Sequence, residues 1–294
     1  MLSEYHIHPG MAQLRYKSLV TPDGRLLPTF KPDECKIFAE QTIFPKLPPK
    51  RVAILTINWK RYDYLKRTIE SMRKTAGYDF DHFVVFNEIR EGENIEVDKK
   101  LFKSVIENRE NLGCPKAYNQ GLEMIKGDAE KISDKYDIII LTDNDVEFKT
   151  DGWLKEIVDL NERTFKLIVS PYVEGLRDNV GGSPRTGIPE LGLRKNEHIA
   201  YHYLGFVKHM GNIVQAFPAK FFDRFRFNEE TFKHGTQSFQ IAKAAPENGF
   251  LLAYLENIYV EHMDTTVGQE KTKPEYFKEL AKAKQEKYRK SFMN

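Results

Sequence analysis

Cysteine is scarce in this chain. Cys35 and Cys114 are the only two in 294 residues, far apart and outside any C-x-x-C pair. That excludes a cysteine zinc site and suits a reducing compartment, so a cytoplasmic location is expected. Long apolar runs are missing as well. A stretch such as Ile138–Leu141 is far too short to cross a bilayer, which takes about 20 residues. The first residues, MLSEYHIHPGMAQLRYK, hold no apolar run behind a basic start, so no signal peptide is expected. An excess of one charge is lacking too: 45 Lys and Arg face 43 Asp and Glu, for a net +2. That balance demands no nucleic-acid partner. No internal repeat is visible. What is present is an ordinary globular composition, 40% hydrophobic and 30% charged, in a chain long enough to bury a substantial core.

The pattern along the chain divides it in three. Residues 1–50 lack periodicity and end in Pro45, Pro48 and Pro49, which read as a linker after an N-terminal extension. Residues 51–264 carry regular apolar patterning and form the main domain, with a first half at 51–145 and a second at 146–264. Residues 265–294 are a basic tail, KTKPEYFKELAKAKQEKYRK over Lys271–Lys290, expected as a terminal helix over 274–291 with a solvated face.

Within the main domain, strands are expected at 51–58, 82–86, 104–108, 136–145 and 166–171. Helices are expected at 62–75, 114–126 and 153–160. This alternation implies an α/β fold with a mostly parallel sheet and helices on both faces. Glycines and prolines between 172 and 200 suggest a long loop, of the kind that is often functional. Helices at 217–225 and 238–245 and one or two strands over 251–262 complete the expectation.

The chemically richest feature is Asp143-Asn144-Asp145, directly after Ile138-Ile139-Ile140-Leu141. In open α/β sheets, ligands bind beyond the carboxyl ends of strands. Two exposed carboxylates one residue apart at such an edge can meet one divalent cation, Mn2+ or Mg2+, which binds oxygen and substrate phosphates. A solvated turn explains the same three residues, and D-x-D alone is a weak signal.

Three segments together resemble glycosyltransferase family 2 and its GT-A relatives. LTINWKRYDYLKRTIESM (55–72) is similar to the family's opening strand and helix, with Thr56, Asn58 and Arg61 in the places beside the nucleotide. NLGCPKAYNQG (111–121) matches N-x-G-x-x-x-A-x-N-x-G through Asn111, Gly113, Ala117, Asn119 and Gly121. IYVEHMD (258–264) looks like the strand that closes the family's catalytic domain, and His262 takes the place of a histidine near the metal. His198, His202 and His209 are weaker candidates for that place. The resemblance runs from about Arg51 to His262 and implies the GT-A fold, a nucleotide-sugar donor and a metal held by Asp143, Asp145 and His262. It further implies donor contacts from Lys116 and Asn144 besides the residues above.

Two departures qualify it. The second strand ends in Asn87 and Glu88 where the family has an Asp that contacts the base. Either can bond a base or ribose, and uridine is the expected base by analogy. The acidic pair that supplies a general base in inverting members is replaced by Thr236-Gln237, after Phe227-Asn228-Glu229. An amide cannot take a proton as a carboxylate does. Either Glu229 or Glu230 is the base, or Gln237 lies against the sugar as an amide does in some retaining relatives.

The resemblance therefore implies a metal-dependent glycosyltransferase, with Asp145 on the metal, Asp143 on metal-bound water or ribose, Arg61 or Lys116 on the phosphates and the 172–200 loop closing over the donor. The expected acceptor is a glycan or glycolipid precursor. An alternative keeps the chemistry and makes the acceptor a hydroxymethylated DNA base, served by Arg177, Arg185, Arg194, Lys195, Lys208, Lys220, Arg224, Arg226 and Lys233, with Tyr201, Tyr203 and Phe206 to stack on it. An ordinary basic surface explains these cations equally well. Nucleotidyl transfer ranks low, because INWKRYDYL has no glycine-rich loop after the first strand. A non-catalytic nucleotide-sugar binding protein is the alternative of another class.

Overall fold

The computed structural model of the chain describes residues 48–93, 97–164, 166–174, 195–199, 202–207, 209–211, 213–230, 237–263 and Lys278. Almost all of the expected N-terminal extension and basic tail, most of the 172–200 loop and Thr236 lie outside these residues.

Strand β1 (Val52–Asn58) is buried along its whole length. It pairs in parallel with β2 (Asp81–Asn87) on one side and β4 (Ile138–Asp143) on the other, and β3 (Ser104–Asn108) extends the parallel set beyond β2. Continuous apolar runs suit these positions because both faces of the sheet are covered. Helix α1 (Tyr62–Thr75) buries Leu65, Thr68, Ile69 and Met72 at i, i+3 and i+4 spacing. Helix α2 (Cys114–Lys126) begins after Gly113, whose φ of 83° lies in territory that favours glycine, with Pro115 in its first turn. Gly121 lets α2 lie directly on β1, since a Cβ there would come within 2.5 Å of Leu55.

The second half adds β5 (Val146–Phe148), α3 (Trp153–Arg163), β6 (Leu167–Glu174), β7 (Lys195–Ile199), β8 (His202–Val207), β9 (Val214–Pro218), α4 (Gln237–Glu247) and β10 (Leu251–His262). All ten strands form one sheet in the order β3-β2-β1-β4-β9-β6-β10-β8-β7, with β5 paired to β10. Seven of them run the same way, and β5, β8 and β9 run against them. Helices α2 and α4 cover one face, burying Tyr118, Leu122 and Ile241 against Leu55, Leu141 and Tyr254. Helices α1 and α3 cover the other, where Met72, Trp153 and Leu154 pack on Ile54 and Ile140. This is the expected α/β architecture.

Two expectations are corrected, and a third, left as one or two strands, resolves to one. Residues 217–225 are not a helix: Phe217 ends β9, and a single 3-10 turn spans Ala219–Phe221. Phe217, Phe221, Phe222 and Phe225 have helical spacing, but the four rings meet because the chain turns sharply at the strand end. Pro218, which lacks an N–H, favours that break. Of the 172–200 loop, Tyr172–Glu174 continues β6 and Lys195–Ile199 is β7. Residues 251–262 are one strand, with a register shift between Leu255 and Tyr259 where it pairs with β6.

Candidate active site

The parallel strands deliver polar residues to one edge of the sheet. Asn58 closes β1, Asn87 closes β2, Asn108 closes β3, Asp143 closes β4 and His262 closes β10. The order reverses between β1 and β4, since β2 and β3 lie to one side of β1 and β4 to the other. A crevice at that reversal is where open α/β sheets bind ligands. Register sets Ile57 opposite Asp143 there.

On the β2 side, the amides are stitched to one another. Asn87 donates to Asn111 Oδ1 at 2.9 Å and accepts from the Leu112 amide at 3.0 Å. Asn111 in turn accepts from the Gly113 amide at 2.9 Å, and Asn108 donates to Gln120 at 2.8 Å. This lattice shapes the turn into α2. Asn87 and Thr56 are both buried, and Thr56 bonds His82 Nε2 at 2.9 Å. Glu88 is half-buried. Its φ of 126° and the left-handed φ of Lys60 (58°) and Arg61 (59°) put three strained residues just beyond the ends of β1 and β2, a pattern that clusters at functional sites. The Trp59 indole donates to Glu88 Oε2 at 2.7 Å. Burial alone would raise the Glu88 carboxyl, but the hydrogen bonds from Trp59 and Arg90 and the nearby positive charges hold it below the ordinary carboxylate range. Trp59 is a residue the motif reading passed over, although an aromatic directly after a strand end is a visible signal. The Arg61 guanidinium lies 3.8 Å from the Tyr64 ring centre, and Lys116 is exposed on the first turn of α2.

The D-N-D segment resolves into three roles. Asp143 is half-buried and accepts from the Tyr118 hydroxyl at 3.4 Å. Burial, then the charge of Asp143, pushes that phenol well above its ordinary value, so it stays a donor. Asn144 is buried, and its amide donates to Asn58 Oδ1 at 2.6 Å and to the Lys60 carbonyl at 3.0 Å. That also turns Asn58 inward. Asp145 is not the exposed carboxylate expected. It is 4% exposed, and its Oδ1 lies 3.5 Å from His262 Nε2. The Met263 amide donates to the Asp145 carbonyl at 2.8 Å, and β5 pairs Val146 with His262. Among the described residues no three His, Cys, Asp or Glu side chains form a ready-made metal cluster. A buried carboxylate facing an imidazole nitrogen, with a second carboxylate beside it in sequence, nevertheless fits Mn2+ or Mg2+, which fill their other positions with waters and substrate phosphates.

On the α2 side, Asn119 grips the segment after β9. Its Nδ2 donates to the Phe227 carbonyl and to Glu229 Oε1, each at 2.8 Å, and its Oδ1 accepts from the Phe227 amide at 3.0 Å. Glu229 is thus held, whereas the bond at Glu230 is from its backbone amide to Asn228 at 2.9 Å. Gln237, the first residue of α4, is 1% exposed, and both its polar side-chain atoms lack partners among the described residues. The DNA acceptor finds no support. Arg177, Arg185, Arg194, Lys208, Lys233 and Tyr201 lie outside the described residues, as do the side chains of Lys195 and Tyr203. Arg226 is bound to Glu123 at 2.7 Å, and Lys220 follows Pro218, which pairs with Ile138 at the opposite edge of the sheet.

Residues 52–241 match the family described as Glycosyl transferase family 2. No curated protein sequence matches the chain. Among solved structures, the chain is similar to GalNAc-T7 with UDP, GalNAc and Mn2+, at 14% identity and a TM-score of 0.55 over 76% of this chain and 45% of that one. It is also similar to S. aureus TarS, at 14% identity and a TM-score of 0.50 over 71% of this chain and 36% of that one. A TarS fragment, residues 1-349, gives the same score and identity, with 60% of its length covered. The chain thus spans less than two thirds of each neighbour. At this identity the likeness shows the fold, which is that of GT-A glycosyltransferases. No helix among the described residues is long and apolar enough to cross a membrane.

Proposed function

The chain belongs to glycosyltransferase family 2, and from that premise we propose that it transfers a sugar from a nucleotide-sugar donor to an acceptor hydroxyl at the carboxyl edge of its sheet. The observation that carries this reading is the approach of Asp145 to His262, far apart in sequence, at 3.5 Å beside the reversal of strand order. The proposed donor is a UDP-sugar, a choice supported by a fold neighbour solved with UDP and Mn2+. The proposed acceptor is a glycan or glycolipid precursor.

The residues divide the work. Glu88, steadied by Trp59, bonds the base or ribose, and the lattice of Asn87 and Asn111 holds the turn that the nucleotide meets. Lys116 and Arg61 are the cations proposed for the diphosphate, near the amino end of α2, where helix amides favour negative charge. Asp145 and His262 would hold a divalent ion, with Asp143 on its water or on ribose, and the ion would supply neutralisation of the charge that develops on the leaving diphosphate. Glu229, oriented by Asn119, is the favoured carboxylate to take the proton of the acceptor hydroxyl.

The test is nucleotide release from a panel of UDP-sugars with Mn2+, with and without glycan acceptors and hydroxymethylated DNA. Release with a glycan acceptor is expected, together with loss on chelation and a fall of about 10²–10³-fold in Asp145→Asn. Undiminished turnover in excess EDTA refutes the metal role. Donor binding without turnover on any acceptor returns the chain to the class of non-catalytic binders.

A further inference from the structure

The direction of the Asp145 side chain follows from its φ and ψ. Those two angles are the rotation between the rigid peptide planes on either side of the residue. At Asp145 a single atom holds both planes. The Thr68 hydroxyl, on α1 and fully buried, donates to the Asn144 carbonyl at 2.9 Å and accepts from the Val146 amide at 3.1 Å. The first group belongs to the peptide before Asp145, the second to the peptide after it. That second peptide is also held at its other end, where the Asp145 carbonyl accepts from the Met263 amide at 2.8 Å. One rigid unit thus joins Thr68 on α1 to the residue that follows His262, and β5 pairs Val146 with His262 beside it.

Helix formation does not account for Thr68. Its β-branched side chain is a middling helix former, and a hydroxyl within a helix commonly turns back to a carbonyl of its own preceding turn. Ser71 and Thr75, on the same face of α1, do so: Ser71 donates to the Thr68 carbonyl at 3.1 Å and Thr75 to the Ser71 carbonyl at 2.7 Å. The single hydroxyl proton of Thr68 goes instead to a carbonyl 76 residues along the chain. Fastening β5 to α1 does not account for it either, because Ser71 already accepts from the Phe148 amide at 3.2 Å, at the far end of that strand. What Thr68 adds is control of Asp145. That residue is 4% exposed, so its carboxylate has little room to make up for a backbone that drifts.

We propose that Thr68 is a positioning residue, which clamps the peptides on both sides of Asp145 and so aims its carboxylate at His262. The proposal rests on the reading of that pair as a metal site and deepens it, since it puts a residue of α1 behind the two that would hold the ion. Partners that orient a metal ligand are typically worth about 10–100-fold in metal affinity.

The experiment uses the full chain and three variants. Thr68→Val removes the hydroxyl at nearly constant shape, Thr68→Ser restores it, and Ser71→Ala loosens β5 without touching the peptides of Asp145. Hydrogen exchange at the Val146 amide is followed by NMR in the absence of metal. Mn2+ affinity is titrated by EPR in the absence of donor. In Thr68→Val, exchange at Val146 should speed up and Mn2+ affinity should fall about tenfold. Thr68→Ser should return both towards the parent values. Ser71→Ala should lower the midpoint of unfolding and leave Mn2+ affinity unchanged. Saturating Mn2+ should restore nucleotide release in Thr68→Val, because the clamp serves ion binding and no bond-making step. If Thr68→Val does not fold, Thr68→Cys, with a weaker donor and acceptor, takes its place and should show the same losses in smaller degree. The proposal is overturned if Val146 exchange is unchanged in the variant, if Mn2+ affinity holds despite faster exchange, or if Ser71→Ala weakens Mn2+ binding as much. A parent chain that binds no Mn2+ refutes the metal reading instead. A crystal structure of Thr68→Val then judges the clamp: an Asp145–His262 separation beyond 3.5 Å supports it, and an unchanged one overturns it.

Discussion

Asn119 is the side chain whose removal should do most for its size. It makes three hydrogen bonds to the segment that follows β9, two of them to the backbone of Phe227, a residue 3% exposed. Asn119→Ala leaves the Phe227 amide and carbonyl without partners. An orphaned buried group costs about 1–3 kcal/mol. The third bond reaches exposed Glu229, where solvent screening leaves well under 1 kcal/mol. Two such groups give a total of about 2–6 kcal/mol, towards the low end where water reaches the gap. The assay is urea denaturation, in which the midpoint should fall with little change in slope. Kinetics should report more than stability: with Glu229 released, turnover should fall while UDP affinity holds, since the nucleotide side of the crevice is braced independently through Asn87 and Asn111. Asn119→Asp is the informative partner, because it keeps an acceptor for the Phe227 amide and places a like charge against Glu229. A stability loss under 0.5 kcal/mol in Asn119→Ala, or a parallel loss of UDP affinity, would refute this account of the residue.

Gly121→Ala should destabilise by about 1–2 kcal/mol, because overpacking against Leu55 outweighs the roughly 1 kcal/mol that alanine gains over glycine in a helix; a raised denaturation midpoint would mean that α2 can lift off β1 freely. Burial, with a smaller push from Arg73, lowers His82 from 6.5 to about 3. The unfolded chain then takes a proton near pH 6.5 that the folded chain refuses, so the neutral ring's contribution is whole above 6.5 and is lost towards pH 3, at about 1.4 kcal/mol per pH unit. His82→Gln should flatten that part of the stability–pH curve, and an unchanged slope would assign the acid sensitivity elsewhere.

Much of the first half of the main domain was legible in the sequence because its signals are local. The period of Leu65, Ile69 and Met72 marks α1, and Gly113 and Gly127 bracket α2. The apolar run Ile138–Leu141 ends in acidic residues wherever the strand is placed in the sheet. The stretch 217–225 was ambiguous for the opposite reason: phenylalanines at helical spacing pack equally well around a strand end and a turn, and only the pairing of Phe217 with Ile139 decides between them.

The site's composition was likewise written in the sequence, but its roles were not. Asp143, Asn144 and Asp145 look equivalent as a string. Which of them turns inward depends on Asn58 and Lys60 across the β1–β4 boundary, more than eighty residues away. His262 meets Asp145 only because β5 folds back to pair with the end of β10, after a register shift in that strand. Gln237 reads as an absent carboxylate in the sequence; in the fold it is a buried amide without a hydrogen-bond partner among the described residues. Local patterning determines elements and brings polar residues to strand ends, since each depends on a few neighbouring side chains. Long-range pairing alone decides which of those residues face one another, and a side chain's chemistry follows from what it faces.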